Sequence, residues 1–171
     1  MHIKPENRER HTLSVTVDNE AGVLARIAGM FTSRGYNIES LTVADVTEDE
    51  SISRITIVTS GTRDVIDQVV AQLDRLVPVH RVTDLTELGP HVERELALVK
   101  VAGTGEHRIE ALRLAEVYRA HVIDATTSSF VFEVTGGPEK IDKFLELMRE
   151  IGLVEVARTG VAAMARGKEA L

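Results

Sequence analysis

Leu13-Ser14-Val15-Thr16-Val17-Asp18-Asn19-Glu20-Ala21-Gly22-Val23-Leu24 changes periodicity partway along. Leu13, Val15 and Val17 alternate with Ser14, Thr16 and Asp18, the period-2 pattern of a half-buried strand. Beyond the change, Leu24, Ile27, Ala28 and Phe31 fall at i, i+3, i+4 and i+7, one face of a helix that Gly35 is placed to stop. Residues 18–24 are therefore a strand-to-helix turn. At such a turn the first helical N–H groups lack partners and point outward with the positive end of the helix dipole, an arrangement that suits a carboxylate. Asn19 adds an amide that donates and accepts, and Gly22 has no Cβ to hold a ligand off the main chain. These groups match the two ends of a free amino acid. Asn19 also fits a second role, as a cap for the helix, and the turn alone favours the cap.

Working outward, residues 1–11 are polar, carry Pro5 and read as a flexible arm. A second strand runs from Tyr36 to Val46, where the parity of Leu41 and Val43 differs from that of Ile38. That slip calls for a bulge near Glu39 and Ser40, or a strand that starts at Ser40. Thr47-Glu48-Asp49-Glu50 turns the chain into a third strand, Ser51 to Thr59. Gly61 and Thr62 open a second helix carrying Ile66, Val69, Val70 and Leu73, and Val77 to Leu85 is a fourth strand with Pro78 at its start. The order, strand-helix-strand-strand-helix-strand, is that of a ferredoxin-like domain over residues 12–86.

Residues 87–93, with Gly89-Pro90, read as a linker. The same order then recurs in 94–171. It runs from a strand at Leu96–Val101 to a helix from about Glu106, and then to a hairpin around Thr127-Ser128-Ser129. A helix opened by Pro138 and striped by Ile141, Phe144, Leu145 and Met148 follows, then a strand at Leu153–Ala157. The tail after Arg158 has weak periodicity. The fold class is α+β: two βαββαβ domains, each an antiparallel sheet with helices on one face. The open face of the first sheet, with Thr42, Ala44, Thr56 and Val58, is too apolar to face water alone, which predicts a homodimer that covers it.

Composition narrows the function. With 43% hydrophobic and 27% charged residues the chain is of ordinary globular make-up, and a net charge of -7 argues against a broad nucleic-acid-binding face. Two tyrosines, four phenylalanines and no tryptophan also supply few aromatics for stacking RNA bases. There is no cysteine, which excludes disulfides and thiolate sites and fits a cytoplasmic protein. No apolar run reaches the roughly 18 residues of a membrane span. The histidines, His2, His11, His80, His91, His107 and His121, show no metal-ligand spacing, and no serine lies in a nucleophile elbow. Gly103-Thr104-Gly105 lacks the third glycine of a dinucleotide loop. The residues thus predict a ligand-binding regulatory protein, with no catalytic or metal residues.

Residues 12–86 resemble an ACT domain, and the chain from about His11 to Lys168 resembles the small regulatory subunits of acetolactate (acetohydroxyacid) synthase. The segments that carry this are residues 18–24, Arg34 to Val43, Ser53 to Ile57, His91 to Leu96 and Glu155 to Gly160. The resemblance implies a non-catalytic subunit. It implies a catalytic partner holding thiamine diphosphate, FAD and Mg²⁺, with no cofactor on this chain. It also implies activation of that partner, and feedback inhibition by valine or another branched-chain amino acid. In the effector site it implies, Asn19, Ala21, Gly22, Val23 and Leu24 come from one protomer of an ACT-domain homodimer, and Asn37 and Ile38 from the facing one. Ala21 stands where relatives often carry serine. A stand-alone amino-acid-sensing ACT protein that controls another enzyme is the alternative.

Overall fold

The computed structural model describes residues 7–171. They divide into two compact units, one running up to Val92 and including Ala163–Leu171, the other comprising Glu93–Ala162. In the first unit the elements are β1 (Glu9–Asp18), α1 (Val23–Ser33), β2 (Ser40–Asp45), β3 (Ile52–Gly61), α2 (Arg63–Asp74), β4 (Val79–Asp84) and a single turn of helix, α3 (Leu85–Leu88). The sheet is antiparallel in the order β2-β3-β1-β4. Leu13, Val15 and Val17 of β1, with Ile55 and Ile57 of β3, face Val23, Ile27 and Phe31 of α1 and Val69 and Leu73 of α2 in one buried core. Each such side chain contributes about 1.5–3 kcal/mol on leaving water, and this holds α1 down along its length.

The second unit repeats the order with β5 (His91–Ala102), α4 (Gly105–Val117), β6 (His121–Ala125), β7 (Ser129–Gly136), α5 (Pro138–Ile151) and β8 (Leu153–Arg158). Its sheet runs β6-β7-β5-β8, and a last strand, β9 (Ala162–Ala165), also pairs with β5. Ala97, Val99 and Val101 pack with Phe130, Phe132 and Val134 against Ile141, Phe144 and Met148 of α5. The ladder between first and fourth strands slips at the corresponding place in both units, at Thr16/Val17 and at Lys100/Val101. At the base of this unit the buried Glu95 is held by Arg158, which also reaches Asp142 at 2.7 Å. Glu95 and then Asp142 raise the affinity of the Arg158 guanidinium for its proton.

Several sequence expectations need correction. Of the arm expected over residues 1–11, residues 1–6 lie outside the described residues, and Glu9, Arg10 and His11 belong to β1, paired with Gly61, Ser60 and Thr59. His11 is buried, with Nδ1 at 2.7 Å from Asp84 Oδ2. The strand expected to reach Leu85 ends at Asp84, because Asp84 Oδ1 accepts the N–H groups of Thr86 and Glu87 and starts α3 there. The linker expected over 87–93 therefore overlaps α3, and β5 begins at His91. The tail, assigned to the second domain, groups with the first unit from Ala163 onward. Arg166 N–H bonds to Pro90 O and Arg54 donates to Leu171 O.

On the open face of the first sheet Thr56 and Val58 are buried, Thr42 is half-buried and Ala44 is exposed. Arg54 lies on that same face, two residues before Thr56, and its bond to Leu171 places the end of the tail there. The parity slip in the second strand resolves in favour of a start at Ser40, with Glu39 N–H already bonded to Val58 O.

Candidate functional site at the head of the first helix

The turn between β1 and α1 is fixed on its strand side and open on its helix side. Asp18 N–H bonds to Pro78 O, and Asn19 N–H bonds to Ser51 O in the β2–β3 turn, both at 2.8 Å. Asp18 Oδ1 meets His80 Nε2 at 2.5 Å. Gly22, in the N-cap position, has φ 88, a left-handed conformation that suits glycine, and a Cβ there would touch nothing within 4 Å. Arg26 N–H closes the first helical hydrogen bond onto Gly22 O. The N–H groups of Leu24 and Ala25 precede it and have no acceptor inside the helix. Ala21, Gly22 and Leu24 are exposed, whereas the Val23 side chain is buried in the core. Of the residues the resemblance brought to this end of the site, Val23 can therefore offer only its main chain. Glu20 is drawn aside by Arg26, Oε1 to Nη1 at 3.3 Å.

Asn19 does not cap the helix, since α1 has no side-chain cap. Its Nδ2 donates instead to the carbonyl of Glu50, at 2.8 Å. Glu50 is itself unusual, a non-glycine residue at φ 53. The turn around it is closed by Glu50 N–H to Thr47 O, Ile52 N–H to Thr47 Oγ1, and Ser51 N–H and Oγ to Asp49 Oδ1. Hydrogen bonds from Thr47 and Ser51 lower the Asp49 carboxyl from 3.8 to about 2. The sequence showed this segment only as a charged turn. Its link to Asn19 depends on a left-handed glutamate, which no periodicity announces.

Asn37 and Ile38 lie at the other end of α1, an 11-residue helix about 16 Å long, so one chain does not bring them to Asn19. Asn37 is exposed, its carbonyl accepts from Thr59 Oγ1 at 2.7 Å, and Ile38 packs partly against the first core. Asn37 lines a cleft of about 300 Å³ that also takes in Arg8, Arg34 and the Gly61-Thr62 start of α2. Neither arginine signalled a site in the sequence. Among the described residues no cluster of three or more His, Asp or Glu is placed to hold a metal ion, and no helix is long and apolar enough to cross a membrane.

Comparison with known proteins shows the family of the chain. The family described as "AHAS small subunit-like ACT domain" matches residues 13–81, and "Small subunit of acetolactate synthase" matches residues 94–167. The probable acetolactate synthase small subunit of Archaeoglobus fulgidus is 46% identical over 160 residues, covering 94% of this chain and 99% of that protein. The acetolactate synthase isozyme 3 small subunit of Escherichia coli is 46% identical over 159 residues, covering 92% and 96%. Among solved structures, the acetolactate synthase small subunit of Thermotoga maritima superimposes with a TM-score of 0.81 at 36% identity, covering 94% of this chain and 99% of that one.

Proposed function

The chain belongs to the family of acetolactate synthase small subunits, which gives it the role of a regulatory subunit, and we propose how it performs that role. It raises the activity of a catalytic partner that carries thiamine diphosphate, FAD and Mg²⁺, and it makes that partner sensitive to valine or a related branched-chain amino acid. The observation that carries the reading is the turn at the head of α1, where a left-handed Gly22 precedes a helix start with no side-chain cap, and the Leu24 and Ala25 N–H groups have no acceptor inside the helix, next in sequence to the Asn19 amide. A free amino-acid carboxylate fits the N–H groups and the positive end of the helix.

Sheet register supports a site completed by a second copy. β2 is an edge strand, with Val43 and, just beyond its end, Val46 both exposed. Its Asp45 end pairs with Ser53, opposite Val17 and next to the Asn19 turn, while its Ser40 end pairs with Val58 and follows Asn37 and Ile38. Two β2 strands joined antiparallel about a two-fold axis would set the Ser40 end of one against the Asp45 end of the other. Asn37 and Ile38 of one protomer would then approach Asn19 and Leu24 of its partner. An effector held by both prefers the paired arrangement, and that preference is the source of control. One methylene in an apolar pocket discriminates by only about 1–3 kcal/mol, so valine, leucine and isoleucine would all bind, with graded affinities.

The test is to add the purified chain to the catalytic subunit and assay acetolactate formation with and without valine. A higher rate that valine then depresses is the expected result. An unchanged rate in both conditions, with no valine binding by calorimetry, refutes the reading.

A further inference from the structure

The effector reading uses the Asn19 amide but not the Thr47–Ser51 turn that holds it. A carbonyl oxygen only accepts, so the amide of Asn19 has one workable orientation here: Nδ2 toward Glu50 O, at 2.8 Å. The flipped amide would bring two oxygens face to face. A second bond, Asn19 N–H to Ser51 O at 2.8 Å, fixes the main chain of the same residue to the same turn. Oδ1, an acceptor, is the remaining oxygen of the amide, and Asn19 is exposed.

Charge orients a zwitterion at this place. The start of α1, with the N–H groups of Leu24 and Ala25, draws a carboxylate and repels an ammonium group. The turn on the other side of Asn19 carries Glu48, Asp49 and Glu50. We propose that the Thr47–Ser51 turn is a working part of the effector site: through the Glu50 carbonyl it sets the Asn19 amide so that Oδ1 accepts from the ammonium group of a free amino acid, while the carboxylate goes to the α1 N–H groups. This rests on the effector reading above and assigns each end of the zwitterion to its own group. Glu50 is a positioning residue. An amide already held in place loses less freedom when it binds, which strengthens the contact.

The experiment titrates the full chain, by NMR, with valine and with isovalerate, which has the same branched chain and carboxylate but no ammonium group. Asn19→Ala is expected to weaken valine at least tenfold and isovalerate less than twofold. Glu50→Val, which resists a left-handed conformation, is expected to cut the preference for valine over isovalerate at least threefold, and Glu50→Gly, which accepts it, to restore that preference. A loss of general stability would weaken both probes alike, so the ratio isolates the positioning role. Equal weakening of both probes by Asn19→Ala, or an unchanged ratio in Glu50→Val, overturns the proposal. Failure of the native chain to bind valine would instead sink the effector reading itself, and is seen before any variant is made.

Discussion

Arg158 donates from Nε and Nη2 to the two carboxylate oxygens of Glu95, at 2.6 and 2.8 Å, and the Glu95 side chain is only 4% exposed. Two of the segments that carried the family resemblance, His91 to Leu96 and Glu155 to Gly160, thus meet in one ion pair. Removing one partner of a buried pair leaves the other charge without compensation. Arg158 is itself 34% exposed, which softens the loss, so Arg158→Ala should cost about 2–3 kcal/mol. Urea unfolding measures this. The double variant Glu95→Leu with Arg158→Met should cost less than the sum of the single changes.

At the turn that opens α1, Asn19→Ala should raise the valine concentration for half-inhibition of the reconstituted synthase by about tenfold or more, the size of one lost charge-assisted hydrogen bond. Asn37→Ala should act in the same direction from the other end of the helix. The ratio of inhibited to uninhibited rate is the quantity to follow. If both asparagines serve only to shape turns, thermal stability falls and that ratio does not change.

A charge placed on the β2 edge tests the proposed pairing of copies. Val43 is 45% exposed on that strand, so Val43→Lys should leave the fold intact while opposing contact between two such edges. Analytical ultracentrifugation should show a shift toward monomer, and valine sensitivity should fall with it. A dimer that survives unchanged would place the two-fold axis elsewhere.

Two glycines should respond in opposite directions. Gly152, after α5, has φ 153, and a Cβ there would overlap the carbonyl oxygen of Ala102, so Gly152→Ala should destabilise by about 3 kcal/mol or more. Gly29 lies inside α1, and a Cβ there meets nothing within 4 Å. Gly29→Ala should stabilise by about 0.5–1 kcal/mol, because glycine in a helix interior gives up more chain entropy than alanine. Thermal denaturation of the two variants decides both signs.

The Asp49 carboxyl, lowered from 3.8 to about 2 by hydrogen bonds from Thr47 and Ser51, makes the β2–β3 turn sensitive to acid. The folded value lies below the unfolded one, so the ionised form is favoured by folding. Its contribution is complete above about pH 4 and is lost as the pH falls toward 2. NMR titration should show Asp49 and the Ser51 amide changing together in that window. Thr47→Ala should move the midpoint back up.

The sequence carried the fold because its signals were local. Alternation at Leu13, Val15 and Val17 and the stripe at Ile27 and Phe31 mark residues that share one core, and Pro138 and Gly152 bracket α5 as expected. What escaped notice depended on distant partners. Glu9 to His11 look like a polar arm until β3 pairs with them, and Leu85 looks like strand until Asp84 caps the turn behind it. At the site, the residue types were readable at Asn19, Gly22 and Leu24, but the direction in which Asn19 points was not. That is set by Glu50, 31 positions away, in a backbone conformation its side chain does nothing to encourage.

The grouping of Ala163–Leu171 with the first unit has a consequence for how the protein is made. A ribosome delivers β1 to β4 early, yet the segment that ends at the Arg54 guanidinium emerges only after the whole second unit has been translated. The unit that carries α1 is therefore begun early, and it gains the Ala163–Leu171 segment only after the second unit has been made.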